Sequence, residues 1–142
     1  MAEVETHRIT AAQRPRPLSP HLGIYRPMLT MLMSIAHRFT GAALYFGMML
    51  LAWWLIAAAA GPNAYANVEW FTGSVFGRLV LFGYTWALMH HMLGGIRHLI
   101  WDTGRGFEPA EREMLAVATL AGSILLTLVL WVIGYLAMGG PR

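Results

Sequence analysis

The sequence predicts an all-α integral membrane protein, with three transmembrane helices behind a polar N-terminal arm. Three observations carry this. The 142 residues are 57% hydrophobic and only 12% charged, where soluble domains carry roughly 25% charged residues. Three long apolar segments are separated by short stretches rich in breakers and charge. All ten basic residues are arginine, and they flank the apolar segments, as topology signals do. Mean hydropathy is +0.52.

The chain reads as one domain in four parts. Residues 1–27 form the arm. Pro15, Pro17, Pro20 and Pro27 disfavour regular helix there. The arm has no apolar core of signal-peptide type, and Glu3 and Glu5 run against a transit peptide. It is expected on the membrane surface or on a partner. Residues 28–60 form an interfacial segment and the first span. Phe39 to Ala60 is 22 residues without a charge, about 33 Å as helix, enough to cross the hydrocarbon. Gly61-Pro62 ends it, and 61–70 reads as a short loop. Residues 71–101 form the second span, with 18 uncharged residues between Arg78 and Arg97. A charged loop follows, broken by Gly104 and Gly106. The third span, 110–138, opens with Pro109, and Glu111 and Glu113 suit its first turn. Gly122 and Ser123 mark close helix packing there.

Composition excludes several classes. There is no cysteine, so no disulfide, thiolate metal site or protein-held iron–sulfur cluster. The isoelectric point of about 9.8 comes from the flanking arginines, so nucleic acid is not the expected partner. Three spans with no acid in mid-membrane make a poor transporter.

The arginines cluster in the arm and in the second loop. The positive-inside rule therefore puts the N-terminus inside and the C-terminus outside. The first span then enters from the inner side and the second returns to it. Ser34, His37, Arg38 and Gly41 fall at i, i+3, i+4 and i+7 on one face. They are expected at the depth of Arg97 and His98. Snorkelling accounts for Arg38 alone, and less well for the shared face. Tyr84, His91 and His98 form a second line at heptad spacing, with Gly94 and Gly95 between the two histidines. That face offers an imidazole with little bulk beside it. A flat haem could approach the backbone there. The plainer alternative is that these histidines bond neighbouring helices. Ionisable groups inside membranes are nonetheless rare and usually functional. His91 and His98 project from one face, so they cannot clamp a haem from opposite sides. His37 is expected too shallow to help, which calls for a donor on another chain.

Three motifs carry a family resemblance. They are Arg16-Pro17-Leu18-Ser19-Pro20-His21 with Ile24-Tyr25-Arg26, then Ser34-Ile35-Ala36-His37-Arg38-Phe39-Thr40-Gly41, then His91 with Gly95-Ile96-Arg97-His98-Leu99-Ile100-Trp101-Asp102. In order and span count the chain resembles the cytochrome b membrane anchors (C subunits) of succinate dehydrogenase, respiratory complex II. The arm is most similar to the mitochondrial and alphaproteobacterial branch, with Gly23 where glutamine is expected. The resemblance implies a bundle shared with a second anchor subunit. That subunit would supply the other axial histidine of a haem b. It also implies an iron–sulfur subunit and a flavoprotein with covalent FAD on the inner face, with ubiquinone as electron acceptor. By position, His91 matches the axial ligand, with His90 the rival 100° around the helix. Ser34, Ile35 and Arg38 match the quinone site. His37, Arg38, Arg97, His98, Gly94 and Gly95 match the haem and propionate surroundings. The implied place is the bacterial cytoplasmic membrane, with a cytoplasmic N-terminus and periplasmic C-terminus, rather than the mitochondrial inner membrane. The remaining alternatives are a cofactor-free anchor and the anchor of another quinone-linked enzyme such as fumarate reductase.

Overall fold

A computed structural model describes residues 26–139. The expectations for the arm upstream of Arg26, including His21, and for Arg142 lie outside the described residues. Four helices follow in order: α1 (Leu29–Ala60), α2 (Pro62–Gly73), α3 (Val75–Asp102) and α4 (Pro109–Ala137). Three of them, α1, α3 and α4, are long and apolar enough to cross a membrane. At 32, 28 and 29 residues they run about 48, 42 and 44 Å, longer than a ~30 Å hydrocarbon core.

The expected loop over 61–70 is instead the helix α2. Gly61 ends α1 at φ 106, in the half of backbone space that favours glycine. Pro62 then occupies the first helical position, where its fixed φ and missing N–H suit a new helix. Reading Gly-Pro as a stop caught the break but not the restart. A second break separates α2 from α3, which starts at Val75 rather than near Phe71. The Ser74 side chain accepts a bond from the Gly77 N–H at 3.0 Å and caps α3. Gly77 also packs directly on the Phe71 carbonyl, where a Cβ has no room.

The bundle is built for lipid. Its surface carries the large apolar side chains, with Phe39 73% and Leu136 75% exposed. Its interior is small and polar: Ala87, Ala116, Thr40, Thr119, Ser123 and Thr127 are buried. Hydrocarbon outside removes the hydrophobic drive between helices, so close approach through small residues does the packing. Ala87, His90, Gly94 and Arg97 are buried on α3, and Ala116, Thr119, Ser123 and Thr127 on α4; His90 Nδ1 meets Ser123 Oγ across the α3–α4 seam. Thr119 and Thr127 return their hydroxyls to their own helix, on Leu115 O and Ser123 O, so they are buried without cost. Gly122 lies against Leu93, as the small-residue pair in α4 anticipates.

The α1–α3 seam is antiparallel with a fixed register. Gly47 receives the Tyr84 ring, and one heptad toward the inner end Thr40 and Gly41 meet His91. His37 and Gly94 meet next. Beyond α3 the chain turns at Gly104 and Gly106, both with positive φ. Trp101 Nε1 donates to Gly106 O at 3.0 Å and ties that loop to the helix end.

Candidate functional site

The histidine line of α3 is not an open face. Tyr84 and His91 are its contacts with α1. His91 sits over Gly41: an ideal Cβ there would lie 2.9 Å from its Cε1. Gly94 serves the reverse purpose, since His37 packs on the space its absent Cβ leaves. The two imidazoles stack face to face, 4.0 Å between centroids and 3° between planes. His37 is therefore level with His91 and not, as expected from its place near the start of the span, too shallow to reach it. The register, with Gly41 and Gly94 each admitting the opposite ring, brings them together. His98 is exposed. Its ring is tilted 5.5 Å from His37 and edge-on 5.1 Å from Trp101. Among the described residues no three such groups converge on a metal position.

His91 Nδ1 lies 3.1 Å from the main-chain carbonyl of His37. A carbonyl only accepts, so Nδ1 carries the proton, and in the neutral imidazole Nε2 then keeps its lone pair. An imidazole held through Nδ1 with a bare Nε2 is the donor a haem iron takes. On this test His91 fits a haem as one axial ligand. His37 does not fit as the opposite one. Ligands on opposite faces aim their nitrogens at each other through the iron, whereas these two rings lie plane on plane.

His90, the rival ligand, is 0% exposed. Its Nδ1 faces Ser123 Oγ on α4 at 3.4 Å, and its ring stacks on Trp86 at 5.2 Å. It is enclosed by its own chain. Arg97 lies one heptad beyond His90 on α3 and is 4% exposed. Its guanidinium carbon is 5.1 Å from the Trp101 ring centroid, a cation–π contact. Arg97 and His98, adjacent in sequence, thus belong to different faces. His37 Nδ1, His90 Nε2 and Arg97 Nε are buried without a hydrogen-bond partner among the described residues.

The Ser34–Gly41 patch also divides. His37, Thr40 and Gly41 turn into the bundle, while Ser34, Ile35 and Arg38 are exposed on the outer flank of α1. Four residues at i, i+3, i+4 and i+7 span an arc of roughly 100°, wide enough for one edge to pack and the other to face out. Gly95 opens on clear space. Thr40 escaped notice from sequence. Its hydroxyl bonds His37 O at 3.0 Å and approaches His91 Nδ1 at 3.4 Å, a contact across 51 residues that no local pattern announces.

Residues 12–130 match the family described as succinate dehydrogenase/fumarate reductase transmembrane subunit. A succinate dehydrogenase cytochrome b556 subunit from Paracoccus denitrificans is 44% identical over 114 residues, covering 80% of this chain and 88% of that protein. One from Rickettsia prowazekii (strain Madrid E) is 41% identical over 117 residues, covering 82% and 91%. A mitochondrial succinate dehydrogenase cytochrome b560 subunit from Sus scrofa is 40% identical over 114 residues, covering 78% and 66%. The chain belongs to the family of succinate dehydrogenase and fumarate reductase transmembrane subunits, among its cytochrome b anchors of complex II.

Proposed function

We propose that this chain is the haem b anchor subunit of a succinate:ubiquinone oxidoreductase, holding the haem through His91 Nε2 and contributing one wall of the quinone site. The observation that carries the reading is the 3.1 Å contact of His91 Nδ1 with the His37 carbonyl. It orients the ring and leaves Nε2 as a donor. When bound, the haem takes up and passes on single electrons. The chain's own part is to hold the imidazole and to keep water from it with the packed α1–α3 seam.

A second histidine for the haem would come from a second anchor subunit, because His37 is stacked on His91 and His90 is enclosed. Flavin and iron–sulfur clusters sit on partner subunits. Succinate is oxidised there, and this chain, without cysteine, holds no cluster by thiolates.

Ser34, Ile35 and Arg38 face outward, so the quinone pocket is completed by neighbouring subunits. Ser34 hydrogen-bonds a quinone carbonyl oxygen. Arg38 stabilises the negative charge that builds on the quinone as electrons arrive. His37 adjoins Arg38 on α1, and the His98 ring of α3 lies 5.5 Å from the His37 ring; both suit the haem propionates or the supply of protons. Arg26 just before α1, Arg38 near its start, Arg105 in the α3–α4 loop and Arg112 in the first turn of α4 lie at one end of the bundle, which supports an inner N-terminus and an outer C-terminus in the bacterial cytoplasmic membrane.

The test is a reduced-minus-oxidised spectrum of the native complex, purified through a tag on this chain. A b-type signal that disappears in His91→Ala, with flavoprotein and iron–sulfur subunits still co-purifying, supports the assignment. An unchanged signal in His91→Ala refutes it. The same partners with no haem in the unmodified complex leave a cofactor-free anchor.

A further inference from the structure

The hydroxyl of Thr40 lies at the one carbonyl that fixes the His91 ring. Thr40 Oγ1 is 3.0 Å from His37 O. Its single proton goes there, because that oxygen accepts and cannot donate. Toward His91 Nδ1, 3.4 Å away, Thr40 therefore turns lone pairs. The His37 carbonyl does the same at 3.1 Å. With the hydroxyl proton on His37 O, both neighbours of Nδ1 offer it lone pairs, the arrangement that suits an Nδ1 carrying the proton. The other tautomer would set the Nδ1 lone pair against the His37 carbonyl at 3.1 Å, and Thr40 could meet it only by withdrawing its proton from that carbonyl, in a seam where an unmet polar group costs most. Thr40 is itself buried at 4% exposure, so water cannot relieve the mismatch.

We propose that Thr40 is a positioning residue: its hydroxyl, anchored on the His37 carbonyl, selects the Nδ1–H tautomer of His91 and sets the ring's plane, so that Nε2 is presented as a metal donor. The proposal rests on haem ligation by His91. A threonine hydroxyl returned to its own helix is common and often only local. Here the third partner, the imidazole of another helix, makes it more than that. Gly41 on the next position lets the ring come down onto these two acceptors.

The experiment compares Thr40→Val, which keeps shape and removes the hydroxyl, with Thr40→Ser, which keeps the hydroxyl. Both are purified as the intact complex beside His91→Ala. The readouts are the reduced-minus-oxidised spectrum, the haem-to-flavin ratio and the rate of haem transfer to excess apomyoglobin. Thr40→Val is expected to lose haem roughly 10-fold faster, the lower end of effects from outer-shell partners, with a shifted spectrum. Thr40→Ser is expected to match the unmodified complex. A Thr40→Val complex with unmodified spectrum and haem retention overturns the proposal. So does a Thr40→Ser complex as impaired as Thr40→Val, since that pattern reports packing of the methyl group. Should Thr40→Val not assemble with its partners, Thr40→Ala is judged against Thr40→Ser by the same two criteria. If His91→Ala keeps the haem spectrum, the ligation itself is wrong, a result separate from any Thr40 outcome.

Discussion

Replacing Gly41 by alanine sets a methyl group against the edge of the His91 imidazole. The new Cβ would lie 2.9 Å from Cε1, 3.4 Å from Nδ1 and 3.8 Å from Nε2. Carbon atoms rest about 3.5–4.0 Å apart, so the ring must give way by roughly 0.6 Å or more. The helices cannot simply separate, because Tyr84 on Gly47 and His37 on Gly94 pin the same seam on either side. The ring moves instead, away from the His37 carbonyl that it now meets at 3.1 Å. Overpacking of this kind costs about 1–3 kcal/mol, or roughly 5- to 150-fold in an equilibrium constant. If His91 holds the haem, that factor appears in haem retention. The assay is haem transfer from the purified complex to excess apomyoglobin, with the reduced-minus-oxidised spectrum recorded beside it. Gly83→Ala is the control, since a Cβ at Gly83 meets nothing within 4 Å. The expected result is a 5-fold or greater acceleration in Gly41→Ala and none in Gly83→Ala. Unmodified retention and spectrum in Gly41→Ala would refute the seating of His91 on Gly41.

Arg38→Ala should lower quinone reduction on the order of 10²-fold, the effect of removing one charge-stabilising donor, while the haem spectrum stays unchanged; steady-state quinone kinetics beside the spectrum decide this. Ser123→Ala removes the described partner of the buried His90 Nδ1. Interhelical bonds in membranes average about 0.6 kcal/mol and reach about 1.7, so a loss near 1 kcal/mol is expected in reversible unfolding from detergent. Equal or greater stability would count against that contact. Trp101→Phe keeps an aromatic ring beneath Arg97 but deletes the 3.0 Å bond to Gly106 O. Faster hydrogen exchange at 103–108, with α3 itself unchanged, is the expected result.

What was legible came from patterns that one helix carries within itself. The three spans follow from uncharged length alone. The start of α4 follows from Pro109, whose fixed φ suits a first turn. The breaks at Gly61, Gly104 and Gly106 follow from glycine's access to positive φ. The restart at Pro62 was not legible in the same way. Gly-Pro both ends one helix and starts another, and the tertiary packing of α2, with Val68 buried, is what the sequence pattern does not show.

The site divides along the same line. Periodicity put His91 and His98 on one face of α3, and Ser34, His37, Arg38 and Gly41 on one face of α1. Pairing those faces needs the register between two antiparallel helices. That depends on where a missing Cβ lets an opposing ring in: Gly47 for Tyr84, Gly41 for His91, Gly94 for His37. The register raises His37 to the level of His91 and leaves Arg38 facing out. It also brings Thr40 to His91 across 51 residues. By itself the sequence determined how many helices span the membrane, which residues share a face, and which family the motifs belong to, because these are properties of single segments. Tertiary structure alone decided which ring each glycine admits and which histidine stays closed within the bundle, because steric fit between two surfaces belongs to neither of them alone.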